Sequence, residues 1–291
     1  MVNEYLETLK QLATCKDLAT NLLVSLFQEC IPDPMVIPFK IDPNCQIIRG
    51  RINNDGKFFT ELKELSYPPQ LTNNSNVNDD IPTGRISSNR YPMFYGVLID
   101  EPREYAKPSM TMLSEIFPLL DNSQFSGAKI VTIGYWYNIS QLNLYTLPFP
   151  QNSNYNDNTL VKRIREKWGQ NRERFSPTEI EILEFIGTLM ASKAEEDASI
   201  IYKITSAFNL YIFSKNPRIQ GIVYPSVQNE MMNMCVAIKP EIVDTYLKCR
   251  MAKTFIYIQN GNIGGLMFAI ANGNFDSDMN LQWTLENTLY E

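Results

Sequence analysis

The stretch GRISSNRYPMFYG, residues 84 to 96, sets Gly84 and Arg85 on one side of a Ser/Asn turn and Phe94 and Tyr95 on the other. A guanidinium is a planar fork of donors suited to anions, and an aromatic ring offers its face to a cation or to another ring. Three further segments carry residues of the same chemical kinds: IIRGR at 47 to 51 with Arg49, MLSEI at 112 to 116 with Glu115, and IQGIVYPSVQNEMMNMCVAIKP at 219 to 240 with Tyr224, Ser226 and Asn233. Taken singly, each has a structural account. Arg49 and Arg85 read as surface charges, Tyr95 as core, Glu115 as a solvated helix residue, and Tyr-Pro-Ser as a turn that ends a strand.

What these groups have to work with is set by what the chain lacks. Histidine is absent from all 291 residues, which removes Ser-His-Asp and Cys-His nucleophiles and the histidine-dependent metal hydrolases. The five cysteines, Cys15, Cys30, Cys45, Cys235 and Cys249, are odd in number and widely spaced with no C-x-x-C pair. They read as reduced, mostly buried thiols of an intracellular protein, and no metal is expected. Neither a P-loop nor a glycine-rich dinucleotide turn after a strand occurs. Any reaction must run on carboxylates, arginines, hydroxyls and aromatics.

Hydrophobic residues make up 44% and charged residues 20%, a globular balance with enough apolar area for a core. Lysine and arginine total 26 against 32 acids, a net charge of -6, so an anion site must be local and no nucleic-acid partner is expected. The basic run LVKRIREKWGQNRER at 160 to 174 reads as a solvated helix face, with nucleic-acid binding as the alternative that the overall acidity weakens. MVNEYLETLKQL has no long apolar core of a signal peptide, and NLLVSLF falls far short of the ~20 residues that span a bilayer. A cytoplasmic protein without membrane contact is the expectation.

The elements that must position the candidate residues follow from periodicity. Tyr5, Leu9, Leu12, Leu18, Leu22 and Leu26 predict one or two amphipathic helices before residue 30. IPDPMVIPFKIDP is too proline-rich to continue them and reads as an ordered link. Residues 68 to 84 and 150 to 158 have the Asn/Asp/Pro content of long loops. FYGVLID and GAKIVTIGYWYN predict strands with SMTMLSEIFPLL as a short helix between them. Ser176, Pro177 and Glu179 form a capping-box signature that opens TEIEILEFIGTLMASKA, and DASIIYKITSAFNLYIFS predicts the next helix. GIVYPSV, NMCVAIKP, and TFIYIQ and LMFAIA joined by NGNIGG predict strands, the last two as a hairpin. The fold class is α+β with a largely antiparallel sheet, organised as an N-terminal helical extension over 1–40 and one large domain over 41–291.

In their order and local context the four segments resemble the RES domain family, named for an arginine, a glutamate and a serine. The resemblance runs from Ile47 to Pro240. Gly84, Arg85, Phe94 and Tyr95 match the family's Gly-Arg turn and aromatic-Tyr strand, and Tyr224, Pro225, Ser226 and Asn233 match its most specific segment. Ile48 stands where the family usually has an aromatic residue before its first arginine. Glu115 is the choice for the glutamate, with Glu101 and Glu104 between it and Tyr95 as alternatives.

The resemblance implies an ADP-ribosyltransferase-like split β-sheet core with flanking helices, with NAD as substrate. It implies an NAD glycohydrolase or phosphorylase that drains the cell's NAD as a toxin, held in check by an antitoxin protein. Arg49 and Arg85 would engage the pyrophosphate, and Tyr95 the nicotinamide ring. Glu115 would stabilise positive charge on the ribose, while Ser226, with Tyr224 and Asn233 beside it, would position the substrate. Nicotinamide leaves neutral, so no general acid is needed and the missing histidine is no obstacle. The alternatives are a mono-ADP-ribosyltransferase acting on a protein, and a catalytically silent interaction protein whose N-terminal helix binds a partner or a second copy. On every reading the N-terminal helices lie outside the chemistry.

Overall fold

A computed structural model of the chain describes residues 2–12, 15, 20–69, 84–88, 91–99, 106–116, 126–149, 159–192, 198–227, 233–260 and 265–286. Seven α-helices and ten strands occur among them, so the chain is α+β. Contacts divide it into two compact units, each assembled from three separated stretches: Met1–Ile41, Pro69–Met93 and Asn143–Lys239 form the first, and Asp42–Pro68, Phe94–Leu142 and Pro240–Glu291 the second.

In the first unit, helices α1 (Val2–Leu12) and α2 (Thr20–Cys30) pack on α5 (Pro177–Ala191) and α6 (Ala198–Lys215) respectively. Leu23 and Phe27 of α2, four residues apart, are fully buried. Phe27 meets Phe208 edge-on at 5.1 Å and stacks on Tyr211 at 6.4 Å between centroids. The Tyr211 hydroxyl donates to the carbonyls of Ile31 and Pro32 and so fixes the chain as it leaves α2. Helix α5 starts as its sequence predicts: Ser176 Oγ accepts from the Glu179 N–H at 3.3 Å while Glu179 Oε2 accepts from the Ser176 N–H at 2.8 Å. Further along α5, a Cβ on Gly187 would strike the Pro148 carbonyl oxygen. Backbone cannot swing aside as a side chain does, so Gly187→Ala is expected to cost about 1–3 kcal/mol. A urea-unfolding midpoint equal to wild type would show that the helix shifts without penalty.

The strands of this unit run in the order β1 (Ile37–Ile41), β5 (Leu142–Thr146), β6 (Gly221–Pro225), β7 (Met234–Ile238). β5 and β6 are parallel and β6 and β7 antiparallel. The proline-rich link thus contains a strand. Pro38 has no N–H to give, but β1 lies at the end of the strand order, where that loss is tolerated. Ile37, Phe39 and Ile41 alternate inward with Pro38 and Lys40 outward. Helix α4 (Thr159–Asn171) covers β1 through Leu160, Val161, Ile164 and Trp168, while its Arg163 and Lys167 reach over the Phe39 ring of β1.

The second unit holds β3 (Phe94–Ile99), β2 (Gln46–Ile52), β4 (Ser126–Asn138), β8 (Leu247–Asn260), β9 (Gly265–Phe275) and β10 (Leu281–Leu285), in that spatial order, with helices α3 (Ala106–Ile116) and α7 (Pro240–Tyr246). All its recorded pairings are antiparallel. β2 pairs β4 from Gln46↔Tyr137 to Ile52↔Val131, but pairs β3 only from Gln46↔Ile99 to Ile48↔Val97. β8 begins at Leu247 rather than Thr254 because Lys248 and Arg250 alternate outward around buried Cys249, a half-exposed pattern that an apolar run does not flag. β8 and β9 form the expected antiparallel pair, while the turn at 261–264 lies outside the described residues. Both long loops expected at 68–84 and 150–158 lie almost wholly outside them too.

All five cysteines are free thiols, Cys235 and Cys249 buried, Cys30 and Cys45 half-buried and Cys15 exposed. Among the described residues no helix is long and apolar enough to cross a membrane.

Candidate functional site

In the second unit, Arg49 sits on β2, Tyr95 on β3 and Glu115 in the last turn of α3. Gly50 decides how they are arranged. A Cβ there would run into Met112 Sδ and Ile116 Cδ1, so α3 lies directly on the face of β2 that Gly50 leaves bare. Strand side chains alternate, which sends Arg49 and Arg51 to the opposite face. There Arg49 Nε donates to the Ser66 carbonyl at 3.1 Å and Nη1 to the Tyr95 carbonyl at 2.6 Å. Its guanidinium lies 5.2 Å from the Phe94 ring centroid, and Phe94 meets Trp136 edge-on at 5.1 Å.

Arg51 Nη1 donates to the Glu64 carbonyl at 2.8 Å. Burial pushes the Glu64 carboxyl up, but donors from Thr60 and Glu61 together with the Arg51 charge outweigh it and hold the group below its usual value. Its stabilising contribution is therefore complete above the unfolded carboxyl's pKa and is lost as the pH falls through the folded one.

Tyr95 alternates with Phe94 and Gly96 and takes the other side of β3. The β2–β3 register, Ile48↔Val97, puts that side in line with Gly50 and so with α3. Tyr95 and the helix that carries Glu115 therefore share one side of the β2–β3 pair, and Arg49 is on the other. Glu101 and Glu104 lie outside the described residues.

In the first unit, Arg85 reaches the end of α5. Its Nη1 donates to the Leu189 carbonyl at 2.8 Å and its Nη2 to the Ser192 carbonyl at 2.5 Å, and its guanidinium lies 5.6 Å from the Tyr202 ring centroid on α6. Both carbonyls lie at the negative end of α5, where the Leu189 carbonyl also accepts from the Ser192 N–H at 3.4 Å and the Ser192 hydroxyl at 2.9 Å. Arg85→Lys keeps the charge and loses the fork, so it is expected to destabilise by about 1–3 kcal/mol. A thermal melt that does not move would show the two carbonyls to be satisfied without it.

Tyr224, Ser226 and Asn233 gather at one end of the β6–β7 pair. Tyr224 pairs Cys235 across it, and the Ser226 N–H donates to the Asn233 carbonyl at 2.9 Å, one step beyond the last ladder pair, Pro225↔Met234. Ser226 is fully buried and Asn233 half-buried.

GAKIVTIGYWYN reads only as a strand, and within it Trp136 buries its indole N–H without a partner beside Gly134. The Gly-x-Trp spacing on one strand face was the available signal. Among the described residues no cluster of His, Cys, Asp and Glu could hold a metal ion. No protein-family model matches the chain, and no curated protein matches it. The class that can be stated is thus an α+β protein with largely antiparallel strands.

Proposed function

We propose that the chain cleaves the nicotinamide–ribose bond of NAD, within an ADP-ribosyltransferase-like split-sheet fold, as a toxin restrained by an antitoxin partner. The observation that carries this reading is the side shared by Tyr95 and Glu115, with α3 seated on Gly50. A ring face and a carboxylate are the two groups the reaction needs nearest the breaking bond. As the bond lengthens, positive charge builds on the ribose carbon, and a fixed carboxylate stabilises that state more than the bound substrate. The bonding electron pair leaves with nicotinamide, which departs neutral. The parting of β2 from β3 beyond Ile48 and Val97 supports the split-sheet fold. Tyr224, Ser226 and Asn233, gathered at one end of β6–β7, support a substrate-positioning role there.

The oxocarbenium ion is captured by water, by phosphate or, in a mono-ADP-ribosyltransferase, by a protein side chain. Incubating purified protein with NAD, with and without phosphate, and weighing the products separates these outcomes: ADP-ribose, its phosphate ester, or a modified protein.

A second reading, a catalytically silent interaction protein, is favoured by one specific observation. Both arginine forks are engaged by protein carbonyls, Arg49 at Ser66 and Tyr95, Arg85 at Leu189 and Ser192. NAD left intact after prolonged incubation selects this reading over the first.

A further inference from the structure

We propose that Lys40 of β1 together with Arg163 and Lys167 of α4 forms a binding site for a phosphate group, separate from the residues assigned to NAD cleavage. Two of these cations converge on one ring: Arg163 Cζ lies 5.4 Å and Lys167 Nζ 5.5 Å from the Phe39 centroid. Lys40 projects outward from the same strand, two residues beyond the Pro38 carbonyl that Lys167 Nζ reaches at 3.1 Å, and is exposed, as is Arg163. The ion pairs recorded among the described residues join Lys10 to Glu7, Lys63 to Glu61 and Arg172 to Glu184, and none includes Lys40, Arg163 or Lys167.

Like charges four residues apart on a helix destabilise it, and here a third is added from the neighbouring strand. Burial, then the charges of Arg163 and Lys40, hold the Lys167 ammonium below its usual value. In a chain with a net charge of -6 these three cations lie on neighbouring elements with no carboxylate recorded as paired to them among the described residues.

The donor set selects the anion. One guanidinium fork and two ammonium groups can surround a tetrahedral dianion from several directions, whereas a single carboxylate would offset only one of the three charges. The overall acidity disfavours a long polyanion laid over the surface. An added β-strand is disfavoured as well. Pro38 offers no donor, its carbonyl already accepts from Lys167 Nζ at 3.1 Å, and Lys40 projects outward on the same strand.

The test titrates the full chain with inorganic phosphate and, separately, with AMP, at low and constant ionic strength, following heat release and the melting temperature. Saturable binding with a raised melting temperature is expected, weakened at least tenfold by Lys40→Gln and by Arg163→Gln and unchanged by Lys162→Gln on the same helix. Lys40→Gln replaces an exposed side chain, so its far-ultraviolet circular dichroism should match wild type, and loss of binding with that spectrum intact is not misfolding. Binding of phosphate itself identifies the free anion as the ligand, and binding of AMP but not phosphate identifies a nucleotide-borne one. Absence of saturation by either, equal binding by the Lys40 and Arg163 variants, an equal effect of acetate, or steeply salt-dependent binding of random-sequence duplex DNA through the same residues would each overturn the proposal.

Discussion

Phe27→Ala is expected to lower the unfolding free energy by about 3–5 kcal/mol, the usual cost of emptying a fully buried aromatic site. Phe27 is fully buried between Phe208 and Tyr211, and the edge-on and stacked contacts add to the transfer term. Since whole domains are stable by only about 5–15 kcal/mol, the loss is a large part of the total. Urea unfolding followed by fluorescence measures it directly, and a change under about 1 kcal/mol would mean that α2 is held loosely. The same packing bears on removal of residues 1 to 30. That deletion leaves the proposed chemistry untouched in composition, yet it uncovers Phe208 and Tyr211 on α6. The truncated chain should therefore lose stability before it loses any reacting group.

Glu115→Gln is expected to slow nicotinamide release by two or more orders of magnitude, ~2.7 kcal/mol for each hundredfold. The substitution keeps shape and hydrogen-bonding capacity and removes only the charge that would face the developing oxocarbenium ion. Met112 and Ile116, which seat helix α3 over Gly50, are left in place, so the chain should remain folded by circular dichroism. Glu101→Gln and Glu104→Gln should retain near-normal rates. Should Glu104→Gln abolish release while Glu115→Gln does not, the carboxylate was assigned to the wrong residue although NAD cleavage itself would stand.

Arg49 illustrates why residue order alone is a poor guide to a site. Sequence context grouped it with Tyr95 for one ligand. In the folded chain its fork is turned to the face of β2 opposite α3, where it binds the Tyr95 carbonyl rather than sharing that residue's side. The alternation itself was readable from the strand, but not which face α3 would cover. Only the close approach allowed by Gly50 settles that, and a glycine in a strand signals close approach without naming what approaches.

The sequence by itself determined the elements whose signals are local. The capping box at Ser176, Pro177 and Glu179, the apolar spacing of α2, and the β-branched and aromatic runs of β3, β4 and β6 to β9 all act within a turn or a ladder. The missing histidine likewise bounded the chemistry without any fold. Tertiary structure alone decided what the polar groups with distant partners bond to. Arg85 finds its acceptors 104 and 107 residues away at the end of α5, and α4 carries Arg163 and Lys167 onto the ring of Phe39. It also made an edge strand of the proline-rich β1 and built each unit from interleaved stretches. Helix caps and side-chain periods depend on neighbours a few residues away and so are written in the chain. A guanidinium's partner depends on which distant backbone carbonyls the packing leaves unpaired, and every backbone carbonyl is chemically alike until the fold selects among them.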